Sequence, residues 1–261
     1  MEVKAILFDT RSIQQYIFSG NKLKTNIGAS YLVDRVFDDV LFPIVEDVTK
    51  EAVDTESWKT SLNVKKLQQK NQCVVAANGG GSALLLFSYD TAEIEETNEK
   101  LMRIIRAFTK NLLVKCPGLH VGAAQGKIRL DELSFQKDLK ELYKKLKENQ
   151  NQSFPQVNIP YTGLTLSCQV NGEAANYFDK HGQVILGRSY EQRFCSQEVA
   201  CKAKAAEEAN KRLKAMYERI SKCYEFPMQI DELGQKESEN YFAIIHIDGN
   251  NMGAKFRTCK T

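Results

Sequence analysis

The sequence predicts an α+β fold, and three observations carry the prediction. Apolar runs of strand type alternate with segments whose apolar residues recur every three or four positions, in the order strand, helices, strand, strand, helix, strand. Two of the runs flank a glycine-rich tip, a short-range hairpin signature. Two others each stop at an acid, Asp9 and Asp248. This order is the split βαβ, or ferredoxin-like, arrangement, which predicts an antiparallel sheet with helices packed on one face.

Each element follows from its residues. Val3 to Phe8 reads as a buried strand ending at Asp9. Ser12 is placed to cap a short helix carrying Ile13, Tyr16, Ile17 and Phe18. Gly20 and Asn21 break it, and a second helix follows from near Asn26 through Leu41, with Pro43 as a kink or restart. Residues 49–71 are polar and read as a long loop or a loose helix end. Cys73 to Phe87 then forms the hairpin, with Gly79, Gly80, Gly81 and Ser82 at its tip. Consecutive glycines permit positive φ and the close approach of a phosphate or another backbone; a plain tight turn is the alternative. Asp90 and Glu93 form a capping box for a helix with Ile94, Leu101, Ile104, Ile105, Phe108 and Leu112 along one side. Pro117 and Gly118 end it, and Leu119 to Ala124 is the fourth strand. A charged helix from Asp131 to about Gln150 turns Leu139, Leu142, Tyr143 and Leu146 inward. The hairpin lies beside the first strand in this arrangement, so its tip and Asp9 share one rim of the sheet.

A polar break at Glu148 to Pro155 marks a boundary. Beyond it, Leu164 to Val170 reads as a strand entering a turn at Asn171. A long helix runs from Ser196 to about Tyr224, with Val199, Ala203, Ala206, Leu213, Met216, Tyr217 and Ile220 inward. Its other face is basic, with Lys202, Lys204, Lys211, Arg212, Lys214, Arg219 and Lys222 set among glutamates. Such a face is ordinarily solvated; gripping an RNA backbone is the alternative. A polar linker, Asp231 to Glu239, leads to the closing strand Tyr241 to Ile247. There Asp248 enters the loop Gly249-Asn250-Asn251-Met252-Gly253. A strand that delivers a carboxylate into a small polar loop suits Mg²⁺, which takes hard oxygen ligands from one or two carboxylates, water and substrate. An ordinary turn is again the alternative, because Asn and Gly favour turns for backbone reasons.

Composition excludes more than it assigns. With 43% hydrophobic and 26% charged residues, the 261-residue chain has the balance of a globular protein. Its net charge of +3 does not by itself argue for nucleic acid. The seven cysteines are scattered without a CxxC pair, which argues against a disulfide framework and for a reducing cytoplasm. No run is long and apolar enough to span a membrane, and no signal peptide is expected.

Two segments carry a resemblance to a known family. FDTRSIQQYIFSGNKLKTNIGASYL, from Phe8 to Leu32, resembles the opening of the first palm domain in the large polymerase–cyclase subunit of type III CRISPR effector complexes. HIDGNNMGAKF, from His246 to Phe256, resembles the start of that family's second palm. The spacing of the two segments and the Gly-rich hairpin between them fit as well. The resemblance implies a nucleotidyl cyclase-like palm at 1–150, a mostly helical linker with scattered cysteines at 151–235, and the first strand of a second palm at 236–261. It implies a protein of antiviral defence that makes cyclic oligonucleotides from ATP by two-metal phosphoryl transfer.

By that resemblance, Asp248, the carbonyl of Gly249 and Asn250 contact Mg²⁺ or Mn²⁺, while Asn251, Met252 and Gly253 sit against the nucleotide. The family often has a second Asp where Asn250 stands, and a neutral amide is the weaker ligand. Its acidic Gly-Gly-Asp-Asp hairpin is absent; the only hairpin of the kind, Gly79-Gly80-Gly81-Ser82, lacks both acids. The first palm, with Asp9, therefore reads as a degenerate, structural or nucleotide-contacting copy. Cys168-Gln-Val-Asn171 resembles one of the family's zinc-binding CxxC pairs with a ligand lost, so zinc is not expected. His120, His181 and His246 are isolated. A closing strand without a neighbour leads to the expectation that the natural protein continues past Thr261 and that this portion is inactive alone. The expected partners are ATP or another nucleoside triphosphate, RNA, CRISPR effector subunits and a second copy of the chain, with no membrane. The alternative is a non-catalytic scaffold that binds RNA or effector subunits; a diguanylate cyclase of GGDEF type is disfavoured by the missing acidic hairpin.

Overall fold

A computed structural model describes residues 1–61, 63–89, 94–131, 133–151, 161–180, 182, 193–223 and 225–230. Residues Met1–Phe226 form one compact unit. Its centre is β1 (Glu2–Arg11), where Val3, Ala5, Ile6, Leu7 and Phe8 are all buried, so the strand is covered on both faces. The strand is longer than the sequence predicts. Asp9 lies inside it, paired with Ser82 and Gly122, because ladder pairing continues to Arg11 on one side.

The helices α1 (Ile13–Ile17) and α2 (Leu23–Val36) follow. Ser12 stands at the first N-cap but adopts left-handed backbone (φ 54°) and makes no capping bond through its side chain, contrary to expectation. One π-helical turn (Phe37–Leu41) joins α2 to α3 (Phe42–Thr49), which Pro43 restarts from within its first turn. The polar stretch that follows holds two short 3₁₀ turns, Ser57–Lys59 and Val64–Gln68. The hairpin is β2 (Cys73–Gly79) and β3 (Ser82–Phe87). Its tip residues Gly80 and Gly81 have φ of 61° and 80°, as a two-residue turn of the primed type demands.

Next come α4 (Ile94–Lys115), β4 (His120–Arg129) and α5 (Phe135–Gln150). β4 runs to Arg129 rather than stopping at Ala124, since β1 offers it a partner along its whole length. The polar Gln125-Gly126-Lys127 is drawn into the ladder by that pairing. Asp90 and Glu93, read as a capping box, lie outside the described residues.

The four strands form one antiparallel sheet in the order β2-β3-β1-β4. One face packs Ile6, Phe8, Val75, Leu85 and Phe87 against α2, the π turn, α3 and α4. Phe8 meets Phe108 edge-on at 5.0 Å there. The other face packs Val3, Ala5, Leu7, Leu84, Leu86 and Ile128 against Leu142 and Leu146 of α5. Helices therefore cover both faces, which corrects the one-face expectation: β1 and β3 are apolar on both sides and need two covers. Ile94 and Tyr143, expected inward, are exposed.

The remainder of this unit is small. Ser167 and Ala174 bridge across a tight turn where the sequence predicts a longer strand. β5 (Tyr177–Phe178) pairs with β6 (Phe194–Cys195). α6 (Gln197–Met216) begins at Ser196, whose hydroxyl accepts from the Val199 amide, and packs along α2. α7 (Glu218–Ser221) is a single turn beyond a break at Tyr217. Met216 and Tyr217 are exposed because α6 ends there, not inward as the periodicity predicts; the side chain of Ile220 lies outside the described residues. No helix among the described residues is long and apolar enough to cross a membrane.

Candidate functional site

Asp9 and the hairpin tip do share a rim. Asp9 pairs with Ser82, and the Thr10 amide donates to the Gly81 carbonyl at 2.7 Å. The Thr10 hydroxyl donates to the same carbonyl at 2.8 Å, and the Ser82 hydroxyl donates to the Phe8 carbonyl at 3.1 Å. A Cβ on Gly81 would stand 2.1 Å from Thr10 Oγ1 and 2.6 Å from Ile13 Cδ1, so this part of the tip is closed by protein. Gly79 and Gly80 differ: among the described residues, nothing beyond the chain neighbours lies within 4 Å of a Cβ built on either. The tip thus presents open backbone on one side only.

Asp9 is half-buried and already has a partner. Gln150, the last residue of α5, donates from Nε2 to Asp9 Oδ2 at 3.0 Å, while Arg11 donates to the Gln150 carbonyl. Gly122 makes this possible, since a Cβ there would lie 2.5 Å from Gln150 Cγ. Beneath the hairpin, Asn78 donates to Asp38 Oδ1 at 2.8 Å. Arg35 holds both Asp38 and Asp39, and its bond to Asp39 raises its pKa above the ordinary guanidinium value. Among the described residues the rim gives one carboxylate, tied to a neutral amide, beside a tip without acids. That donor set does not fit a two-metal centre. Among the described residues no cluster of three or more His, Cys, Asp or Glu side chains is placed to hold a metal. Asp248, Gly249, Asn250, Asn251, Met252 and Gly253 lie outside the described residues.

The least expected charged group is Lys202. The basic pattern of α6 predicts it on the solvated face, yet it is 1% exposed, and Glu198 is buried beside it. Lys202 Nζ donates to Glu198 Oε1, to the Tyr16 carbonyl and, at 2.8 Å, to Ser19 Oγ. It also lies 3.9 Å from the centre of the Tyr16 ring. Ser19 donates to Glu198 Oε1 at 3.0 Å. Burial lowers the Lys202 pKa, opposed by Glu198, and burial pushes the Tyr16 hydroxyl up. Two glycines let these groups in. A Cβ on Gly28 of α2 would fall 1.7 Å from the Lys202 carbonyl oxygen, and one on Gly118 would fall 2.3 Å from Glu198 Oε2. The sequence held a signal for this: Lys202 falls on the stripe of Val199, Ala203 and Ala206. Other basic residues of α6 are engaged too, Arg212 with Asp34 at 2.6 Å and Lys204 with the Tyr177 hydroxyl at 2.9 Å.

Cys168 and Cys195 are both buried in a small apolar cluster with Val170, Val199 and Ala203. Burial pushes the Cys195 thiol up to about 12, so it is held as a neutral thiol.

No family model matches the chain, and no curated protein matches it. Among solved structures it is similar to a chain of an apo Csm1-Csm4 cassette, at 15% identity and TM-score 0.33, over 56% of this chain and 18% of that one. It is similar to a chain of the Csm1-Csm4 cassette in complex with cA4, at 16% identity and TM-score 0.31, over 57% and 18%. It is also similar to a chain of the Type III-B Cmr-beta bound to cognate target RNA, at 13% identity and TM-score 0.37, over 82% and 33%. The matched part spans 18% to 33% of the length of those solved chains.

Proposed function

We propose that this chain is the N-terminal part of a palm-type nucleotidyl cyclase or polymerase of a type III CRISPR effector, acting in cytoplasmic antiviral defence. The observation that carries the reading is the order of two uncommon segments, Phe8 to Leu32 and His246 to Phe256, around a βαββαβ sheet. The antiparallel order β2-β3-β1-β4 is compatible with a ferredoxin-like palm and supports the reading. In this reading, residues 1–150 are a degenerate first palm, 151–235 a linker domain, and 236–261 the start of the second palm. Asp248, Gly249 and Asn250 would hold Mg²⁺ or Mn²⁺, with Asn251, Met252 and Gly253 against the nucleotide triphosphate. The metal would neutralise phosphate charge during phosphoryl transfer. The tie between Asp9 and Gln150 supports a first palm without metal chemistry.

Calorimetry with ATP and Mn²⁺ tests the proposal. Metal-dependent ATP binding that Asp248→Ala removes is the expected result, with no oligonucleotide product from this chain alone. The second reading is a non-catalytic scaffold, favoured by a rim whose donor set does not fit a metal pair. RNA binding without ATP binding would select it.

A further inference from the structure

At the opposite end of β1 from the hairpin tip lies a polar cleft of about 620 Å³, within the range of small-molecule sites. Its charges do not cancel. Glu2, Asp138 and Glu141 each answer one cation: Lys127 at 2.9 Å, Arg129 at 2.7 Å and Lys145 at 3.4 Å. Among the described residues, no carboxylate pairs with Lys4, whose hydrogen-bond partner is the neutral Asn98 amide oxygen, at 2.7 Å. Lys4 also stands directly opposite Lys127 in the β1–β4 register. Like charges facing each other across a ladder are destabilising. Both ammonium groups crowd the same ring, 5.3 Å and 4.9 Å from the centre of Tyr89, which relieves part of the repulsion.

We propose that this cleft is a site for a phosphate-bearing ligand, a nucleotide or a phosphodiester chain, gripped between Lys4 and Lys127. An anion placed there meets two converging ammonium donors and removes the cross-strand repulsion. Arg129 and Lys145 keep their carboxylates and shape the walls, and Lys127 stays beside Glu2. The proposed grip needs no metal and uses no residue of the Asp248 loop.

The test uses the full chain in EDTA, so that metal-dependent nucleotide binding is silent, with inorganic tripolyphosphate, ATP and a short single-stranded RNA as probes. Each is titrated against wild type, Lys4→Gln and Lys127→Gln, with thermal melts alongside. At least one probe should bind wild type, and Lys4→Gln should weaken it tenfold or more. Lys4→Gln should also raise the ligand-free melting temperature by about 1–3 °C, because a repulsion is gone. Equal binding of tripolyphosphate and ATP would assign recognition to phosphate alone; tighter RNA binding with the same Lys4 dependence would assign it to a phosphodiester chain. No binding of any probe in EDTA, or unchanged binding by both variants, overturns the proposal.

Discussion

The rim at Asp9 and the junction at Lys202 handle charge in opposite ways, although glycines admit the partners in both. At the junction, Gly28 and Gly118 let α2 and the α4–β4 turn close over a cation and an anion that satisfy each other. At the rim, Gly122 admits Gln150, a neutral amide, to a carboxylate that stays half-buried. Full burial of a charge demands an opposite charge and further hydrogen bonds, whereas a half-buried carboxylate is content with one amide and water. The junction is therefore architecture, and the rim offers a donor set that does not fit a metal pair.

The largest effect should come from breaking the junction. Lys202→Ala leaves Glu198 buried without its cation and should cost about 3–5 kcal/mol in urea unfolding. Lys202→Met combined with Glu198→Gln should recover most of that loss; equal loss in both variants would show that packing, not charge, governs the site. Gly28→Ala drives a methyl into the backbone of α6 and should cost roughly 1–3 kcal/mol or more, despite alanine's better helix propensity. At the rim, Gly81→Ala combines positive φ with a clash against Thr10 and should cost about 1–3 kcal/mol. Gly80→Ala carries only the left-handed penalty, about 1–2 kcal/mol. Equal values for the two would mean that the tip is not closed on Thr10.

The smallest effect is electrostatic and lies on α5. Arg129 bonds the Asp138 carboxylate and holds its pKa down to about 2. A depressed folded pKa stabilises above the unfolded value, near 4, and the gain is lost as pH falls through 2. Acid titration of stability should therefore lose slope between about pH 4 and 2 in Asp138→Asn, and remain unchanged above pH 5.

The sheet was legible in the sequence because its signals are local. Val3 to Phe8 is apolar without alternation, as a strand covered on both faces must be, and Gly80-Gly81 between two apolar runs announces its own turn. What the sequence hid was set by tertiary contact. β4 extends through Gln125, Gly126 and Lys127 only because β1 pairs with it. The second covered face followed from apolar residues on both sides of β1, a reading the one-face expectation overlooked. Lys202 and Glu198, four apart, look like an exposed ion pair; only their neighbours Val199, Ala203 and Ala206 betray the buried stripe. Asp9 was legible as an acid on the hairpin rim, but its partner Gln150 lies far along the chain and no local pattern points to it.

Mn²⁺ binding in the presence of ATP, counted by electron paramagnetic resonance in wild type, Asp9→Ala and Asp248→Ala, tests the account most directly. Bound Mn²⁺ should persist in Asp9→Ala and disappear in Asp248→Ala. Loss of the ion in Asp9→Ala with retention in Asp248→Ala would contradict the account and return the metal to the hairpin rim.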